Sequence, residues 1–178
     1  MNAMKHIILS FCSALLAAGC MTTYGLEQQG IRAYSDRNYE TAYKNFSRSV
    51  EYGREKAKYH LAVMFAEGNG VEQDYKKAAQ LLNDAAKAGS SDAELMLGLF
   101  YVQGDGVAQN PEKGFEFISA AAKKDNDVAM YYLGHLYASG IGVKQNFDTA
   151  LEWMEKAKEN GFPVKEELLT TRGLRALY

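Results

Sequence analysis

The stretch Ala93–Val107 reads AELMLGLFYVQGDGV, and its reading decides the fold. The same pattern returns 36 residues later as AMYYLGHLYASGIGV over Ala129–Val143, and 36 residues earlier as AKYHLAVMFAEGNGV over Ala57–Val71. A fixed period of this length is the signature of stacked structural units. Ala57, Leu61 and Phe65 stand at i, i+4 and i+8, as do their counterparts Ala93, Leu97, Tyr101 and Ala129, Leu133, Tyr137. That spacing puts them on one face of a helix. The glycine pairs Gly68/Gly70, Gly104/Gly106 and Gly140/Gly142 then stop the helix, because glycine takes positive φ at little steric cost.

Outward from this motif the register continues. Asp74, Asn110 and Asn146 open a second helix, each able to accept a hydrogen bond from a free backbone N–H. Pro111 follows Asn110 at a position where its missing N–H has no consequence. Leu82, Ile118 and Met154 recur inside that helix, as do Ala85, Ala121 and Ala157. The second helix ends near Gly89 and Gly161, and near Asp125 in the middle unit. Ser91, with Glu94 three residues on, marks the start of the first helix of the middle unit as a capping box.

These units resemble the Sel-one-like repeat (SLR) family. The pattern A-x-x-x-L-G-x-x-Y-x-x-G-x-G-V carries the resemblance at Ala93–Val107 and Ala129–Val143. The copy from Ala57 departs from it, with Ala62 and Phe65 in place of Gly and Tyr. Trp153–Ala157 matches the family's second-helix pattern. The resemblance implies an all-α, right-handed α/α solenoid of antiparallel helix pairs, with repeats over 57–90, 91–126 and 127–162. Upstream, Gly30, Tyr39, Ala42, Phe46, Ser49 and Gly53 are similar to a tetratricopeptide unit over 27–56. The step from Gly30 to Ala42 is four residues shorter than that from Ala62 to Ala78, so this unit lacks the G-x-G insertion. Downstream, Leu168, Leu169, Leu174 and Leu177 predict a capping helix within 163–178, with Gly173 a candidate break.

The N-terminus carries a different signal. Lys5 is the only charged residue before Glu27. The apolar run Ile7–Ala18 is too short to span a bilayer. A basic start, a short apolar run and a small-residue exit describe a secretory signal over 1–19. The segment Leu16–Cys20 resembles the lipobox of bacterial lipoproteins, with Ala17 where leucine is usual. The resemblance implies cleavage before Cys20, acylation of its sulfur and a lipidated tether over 20–26. The alternative is an ordinary signal cut near Ala18 that leaves Cys20 as a free thiol, a liability in an oxidising compartment. Cys12 would leave with the signal, so no disulfide is expected. Met21 is not the aspartate associated with inner-membrane retention. By that resemblance the expected location is the periplasmic face of the outer membrane.

Charge excludes one class of partner. Without Lys5 the chain holds 19 basic and 22 acidic residues. A nucleic-acid binder would need a basic patch. Catalytic and metal patterns are also absent. His60 and His135 occupy different positions of their units and have no cysteine partner. No serine has a lysine three residues on, and no G-x-S-x-G elbow occurs. The G-x-G segments lie between helices and recur once per unit, unlike a dinucleotide fingerprint. No cofactor and no enzyme activity are expected.

Function is then read from the wall formed by the first helices, which the resemblance implies is concave. By position, the residues facing it are Tyr59, Val63, Leu95, Leu99, Val102, Tyr131 and His135. They are apolar and aromatic, as suits a helix or an extended peptide from a partner protein. The expected role is a lipid-anchored envelope adaptor. The competing readings are an immunity protein blocking a toxin delivered to the periplasm and, more distantly, a peptidoglycan-modifying enzyme.

Overall fold

The computed structural model describes residues 25–178, and all regular structure among them is helical. Helix α1 covers residues 25–35 and pairs with α2, Tyr39–Glu51. A 3-10 turn over Glu55–Ala57 leads into α3, Lys58–Glu67, which pairs with α4, Tyr75–Lys87. The next pairs are α5, Ser91–Gln103, with α6, Pro111–Ala122, and α7, Asp127–Ser139, with α8, Phe147–Glu159. A 3-10 turn at Glu166–Leu168 and the short α9, Thr171–Leu177, pack against α8. Each helix contacts its own partner and the neighbouring pairs, the quasi-one-dimensional pattern of an α/α solenoid.

Local chemistry explains the boundaries. Each first helix of the three long units ends on a left-handed glycine; the Gly104 N–H donates to the Phe100 carbonyl at 2.7 Å. The second glycine is needed for a different reason. A β-carbon on Gly106 would stand 2.2 Å from the carbonyl oxygen of Tyr75, the first residue of the preceding unit's second helix. The turn is locked by a side chain that comes back in every unit. Gln73, Gln109 and Gln145 donate from Nε2 to the carbonyls of Ala66, Val102 and Ala138 at 2.7, 2.8 and 2.7 Å. These amides satisfy carbonyls that the end of the first helix would leave open.

Second helices start as expected. Asp74 and Asn110 accept from the N–H groups of Lys77 and Lys113 at 2.9 Å, and Asn146 from Asp148 and Thr149 at 3.1 Å. Asn38 does the same for α2, accepting from the Thr41 N–H at 3.2 Å, so the cap register reaches the N-terminal unit. Two expectations shift. The cap of α5 is Ser90, in extended conformation and accepting from the Ala93 N–H at 3.3 Å, rather than Ser91. Ser91 is already helical, and Glu94 is drawn to Lys124 at 2.7 Å instead of back to the helix start. Residues 25 and 26, expected within the tether, are helical, because the next residue, Glu27, reaches Arg54 and His60 on the other side of the first unit.

The core repeats as the turns do. Phe46, Leu82, Ile118 and Met154 lie 36 residues apart in the second helices and are fully buried. Each contributes about 1.5–3 kcal/mol. A small residue of the first helix faces each one. A β-carbon on Gly30 would meet the Phe46 ring at 2.5 Å; one on Gly98 would meet Ile118 at 2.6 Å, and one on Gly134 would meet Met154 at 2.6 Å. Close approach of the two helices in a pair therefore depends on these small residues.

The C-terminal segment is interrupted before Gly173, not at it. The break falls at Leu169–Thr170, and the Thr170 hydroxyl caps α9 by accepting from the Gly173 N–H at 2.9 Å. Gly173 is required because the Glu167 carbonyl oxygen occupies the space next to its α-carbon. Leu174 is fully buried against α7 and α8, so α9 covers the last pair.

Candidate functional site

The seven residues predicted to face the first-helix wall divide into three groups. Tyr59, Leu95 and Tyr131 stand one period apart, and Tyr59 and Leu95 pack on the unit that follows. Tyr59 joins the cluster containing Ala93 and Leu97. Leu95 is buried beside Ala129, Met130 and Leu133. The Tyr131 ring lies 4.6 Å from that of Phe162, the last residue of its own repeat. Val102 faces the second helix of its own unit, with Cγ2 2.6 Å from where a Gly114 β-carbon would stand. Tyr59 and Leu95 help hold units together, Val102 and Tyr131 pack within their own repeats, and Leu95 presents almost no surface.

Val63, Leu99 and His135 form the third group. They share one register position and are all partly exposed. Helix α1 adds Ile31 to the row. It follows Gly30 as Val63 follows Ala62, Leu99 follows Gly98 and His135 follows Gly134. The four-residue shorter first unit hides Ile31 from a count in steps of 36, whereas counting from the small packing residue finds it. The result is a row of three aliphatic side chains and one imidazole across all four first helices.

Each end of the row is built by contacts that the sequence did not announce. At the C-terminal end the Tyr178 hydroxyl meets His135 Nδ1, with the rings 5.7 Å apart, and the Tyr131 ring packs edge-on to His135 at 4.5 Å. The Arg175 guanidinium lies 5.6 Å from the centre of the Phe147 ring, which helps hold α9 in place. Burial lowers the pKa of His135 from its ordinary 6.5, favouring the neutral ring.

At the N-terminal end, His60 stacks on Phe46 with centroids 4.7 Å apart, and its Nε2 lies 3.6 Å from Glu27. Burial lowers its pKa too, against the pull of Glu27. The Tyr34 hydroxyl donates to Glu67, while Asn69 Nδ2 donates to Tyr34 at 2.8 Å and to Glu67 at 2.6 Å. Burial, reinforced by the Glu67 hydrogen bond, pushes the Tyr34 hydroxyl up to about 12. Ile31, Tyr34, Ser35, Phe46, His60 and Val63 enclose a cavity of about 90 Å³ between α1, α2 and α3.

Among the described residues, no group of three His, Cys, Asp or Glu side chains is placed to hold a metal ion. No described helix is long and apolar enough to cross a membrane. Cys20 and the expected signal lie outside the described residues.

Comparison with known proteins agrees with this geometry. The Sel1 repeat model matches residues 55–90, 91–126 and 127–162. A Sel1 repeat protein from Oxalobacter formigenes is 29% identical with a TM-score of 0.69, over 75% of this chain and 55% of that one. A protective antigen of uropathogenic Escherichia coli strains displaying an SLR fold is 30% identical with a TM-score of 0.70, over 78% of this chain and 31% of that one. The cysteine-rich protein B of Helicobacter pylori is 25% identical with a TM-score of 0.54, over 71% of this chain and 93% of that one. The chain thus spans about half of the first relative and a third of the second. No curated protein sequence gives a significant match. Sel1 repeats serve as scaffolds for contact with other proteins and are generally non-catalytic. With three consecutive repeat matches covering more than half its length, the chain belongs to the Sel1 repeat family.

Proposed function

We propose that this chain is a lipid-anchored envelope scaffold that holds a protein partner along its first-helix wall. One observation carries the binding part. Ile31, Val63, Leu99 and His135 form a single partly exposed row that crosses all four first helices, whereas Leu95 in the neighbouring row is buried against the next unit. An apolar row spread over four rigid helices suits a partner that supplies its own periodic side chains, such as a helix or an extended strand. The anchoring part rests on the Leu16–Cys20 motif and the short apolar run before it. Acylation there would hold the wall at the membrane, and Met21 favours the outer membrane on its periplasmic face.

The test is a photo-crosslinking side chain placed at Leu99 in living cells, with Glu116 on the second-helix face as the comparison site. Recovery of one defined protein from Leu99 and none from Glu116 supports the reading. The reverse pattern contradicts it.

A further inference from the structure

The wall is not uniform along its length. Among the described residues, its N-terminal end opens into a cavity, and the carboxylates of Glu67 and Asp92 stand near that end, each met by neutral donors. The cavity between α1, α2 and α3 has an apolar floor of Ile31, Phe46 and Val63, and it opens beside the exposed Ser35. Its volume of about 90 Å³ is several times what one water needs. Tyr34 and His60 line its sides. Glu67 sits on the Tyr34 hydroxyl and Glu27 on His60 Nε2.

The state of these acids matters. Glu27 is shared with Arg54 and His60. Among the described residues, Glu67 is met by the neutral donors Tyr34 and Asn69. Asp92, at the start of the next first helix, is met by the Asn126 amide at 2.8 Å. The mouth of the cavity therefore carries negative charge that the described residues do not neutralise, beside an apolar hole that they do not fill. Farther along the row, the positions equivalent to Glu67 are the neutral Gln103 and Ser139.

We propose that this cavity is the anchor subsite for a partner polypeptide, taking one aliphatic side chain while a lysine or arginine of the same segment pairs with Glu67. An aliphatic group fills the apolar floor, and a cation beside it recovers the charge that Tyr34 and Asn69 only solvate. An acidic or wholly apolar segment satisfies one half of the site and leaves the other unpaired. This assignment rests on the wall being the binding surface, and it adds where binding is anchored and by which side chains.

An array of random hexapeptides, probed with the full chain, tests it. Bound peptides should be enriched in an aliphatic residue within two positions of a lysine or arginine. Ser35→Trp, which places an indole over the mouth from an exposed position, should weaken those peptides about tenfold. Glu67→Gln should weaken them less and remove the preference for the cation. Circular dichroism and the melting point should match the unmodified chain in both variants. Leu99→Arg separates the two readings. If peptides are lost with Leu99→Arg but retained by Ser35→Trp, the wall binds and the anchor assignment is wrong. If neither variant affects binding, both fail. Absence of the aliphatic–cationic enrichment overturns the proposal, as does a dimer of this chain that Ser35→Trp dissociates.

Discussion

The carbonyl oxygen of Pro111 lies 2.1 Å from where a β-carbon on Gly142 would stand. The second glycine of the last unit thus seats directly on the first residue of the preceding second helix. Tyr75 does the same under Gly106, and Tyr39 under Gly70. The step from one unit to the next is set at these points by close contact, with a backbone carbonyl oxygen under Gly106 and Gly142 and with the Tyr39 β-carbon under Gly70.

Gly142→Ala should therefore do more than strain a left-handed residue. Gly142 has φ +68°, and the oxygen it would strike is backbone that cannot swing aside. A loss of about 3 kcal/mol is expected in urea unfolding, combining left-handed strain with displacement of α6. Gly89→Ala, at φ +89° with open space around it, isolates the strain and should lose only about 1 kcal/mol.

Asp125 offers the opposite change. It holds φ +61°, where the equivalent residues Gly53, Gly89 and Gly161 are glycines. Asp125→Gly should raise stability by about 0.5–1 kcal/mol, read as a higher urea midpoint with unchanged slope.

Gln109→Ala removes the amide that closes the turn after α5. The Val102 carbonyl then loses its donor, which is expected to lower stability by about 1 kcal/mol. Hydrogen exchange should speed up at residues 104–109 before any change is seen in the core.

Much of this construction is legible in the sequence, because a repeat shows the same solution three times. The glycine stops, the Asp74, Asn110 and Asn146 caps and the buried Leu82, Ile118 and Met154 could be read directly. The glutamine clamp was equally available in the register of Gln73, Gln109 and Gln145, but a polar residue in a loop gives no sign of its acceptor. The wall was harder. Periodicity marks an apolar helix face, but it does not say which slice meets the next unit. Leu95 is taken up by stacking, whereas Val63, Leu99 and His135 stay partly exposed, as do Tyr59 and Tyr131 although they also pack on neighbouring residues. The cap at Ser90 rather than Ser91 is a one-residue difference between adjacent serines that only backbone angles resolve. The contact of Tyr178 with His135 joins segments 43 residues apart and leaves no periodic trace.

Acid should weaken the fold before the carboxylates titrate. Burial lowers the folded-state pKa of both His60 and His135 from 6.5, so the unfolded chain takes up protons first as pH falls. Stability from both residues is complete above that value and declines as pH drops through 6.5 towards the folded-state values. Glu27 and Asp92 moderate the effect at His60, while burial alone acts at His135. A melting-temperature profile should slope downward below neutral pH, and replacing both histidines with glutamine should flatten it.

Cys20→Ser tests the anchor. Incorporation of labelled palmitate should disappear, and the chain should move from the membrane pellet to the soluble fraction. Unchanged labelling would remove the lipoprotein reading and leave the scaffold intact.

The most direct measurement is the dissociation constant for the partner captured from Leu99, determined by calorimetry for Leu99→Arg and Glu116→Arg side by side. A buried charge in the exposed apolar row should weaken binding about a hundredfold while the change on the second-helix face has no effect. Equal affinities, or a loss confined to Glu116→Arg, would contradict the assignment of the first-helix wall as the binding surface.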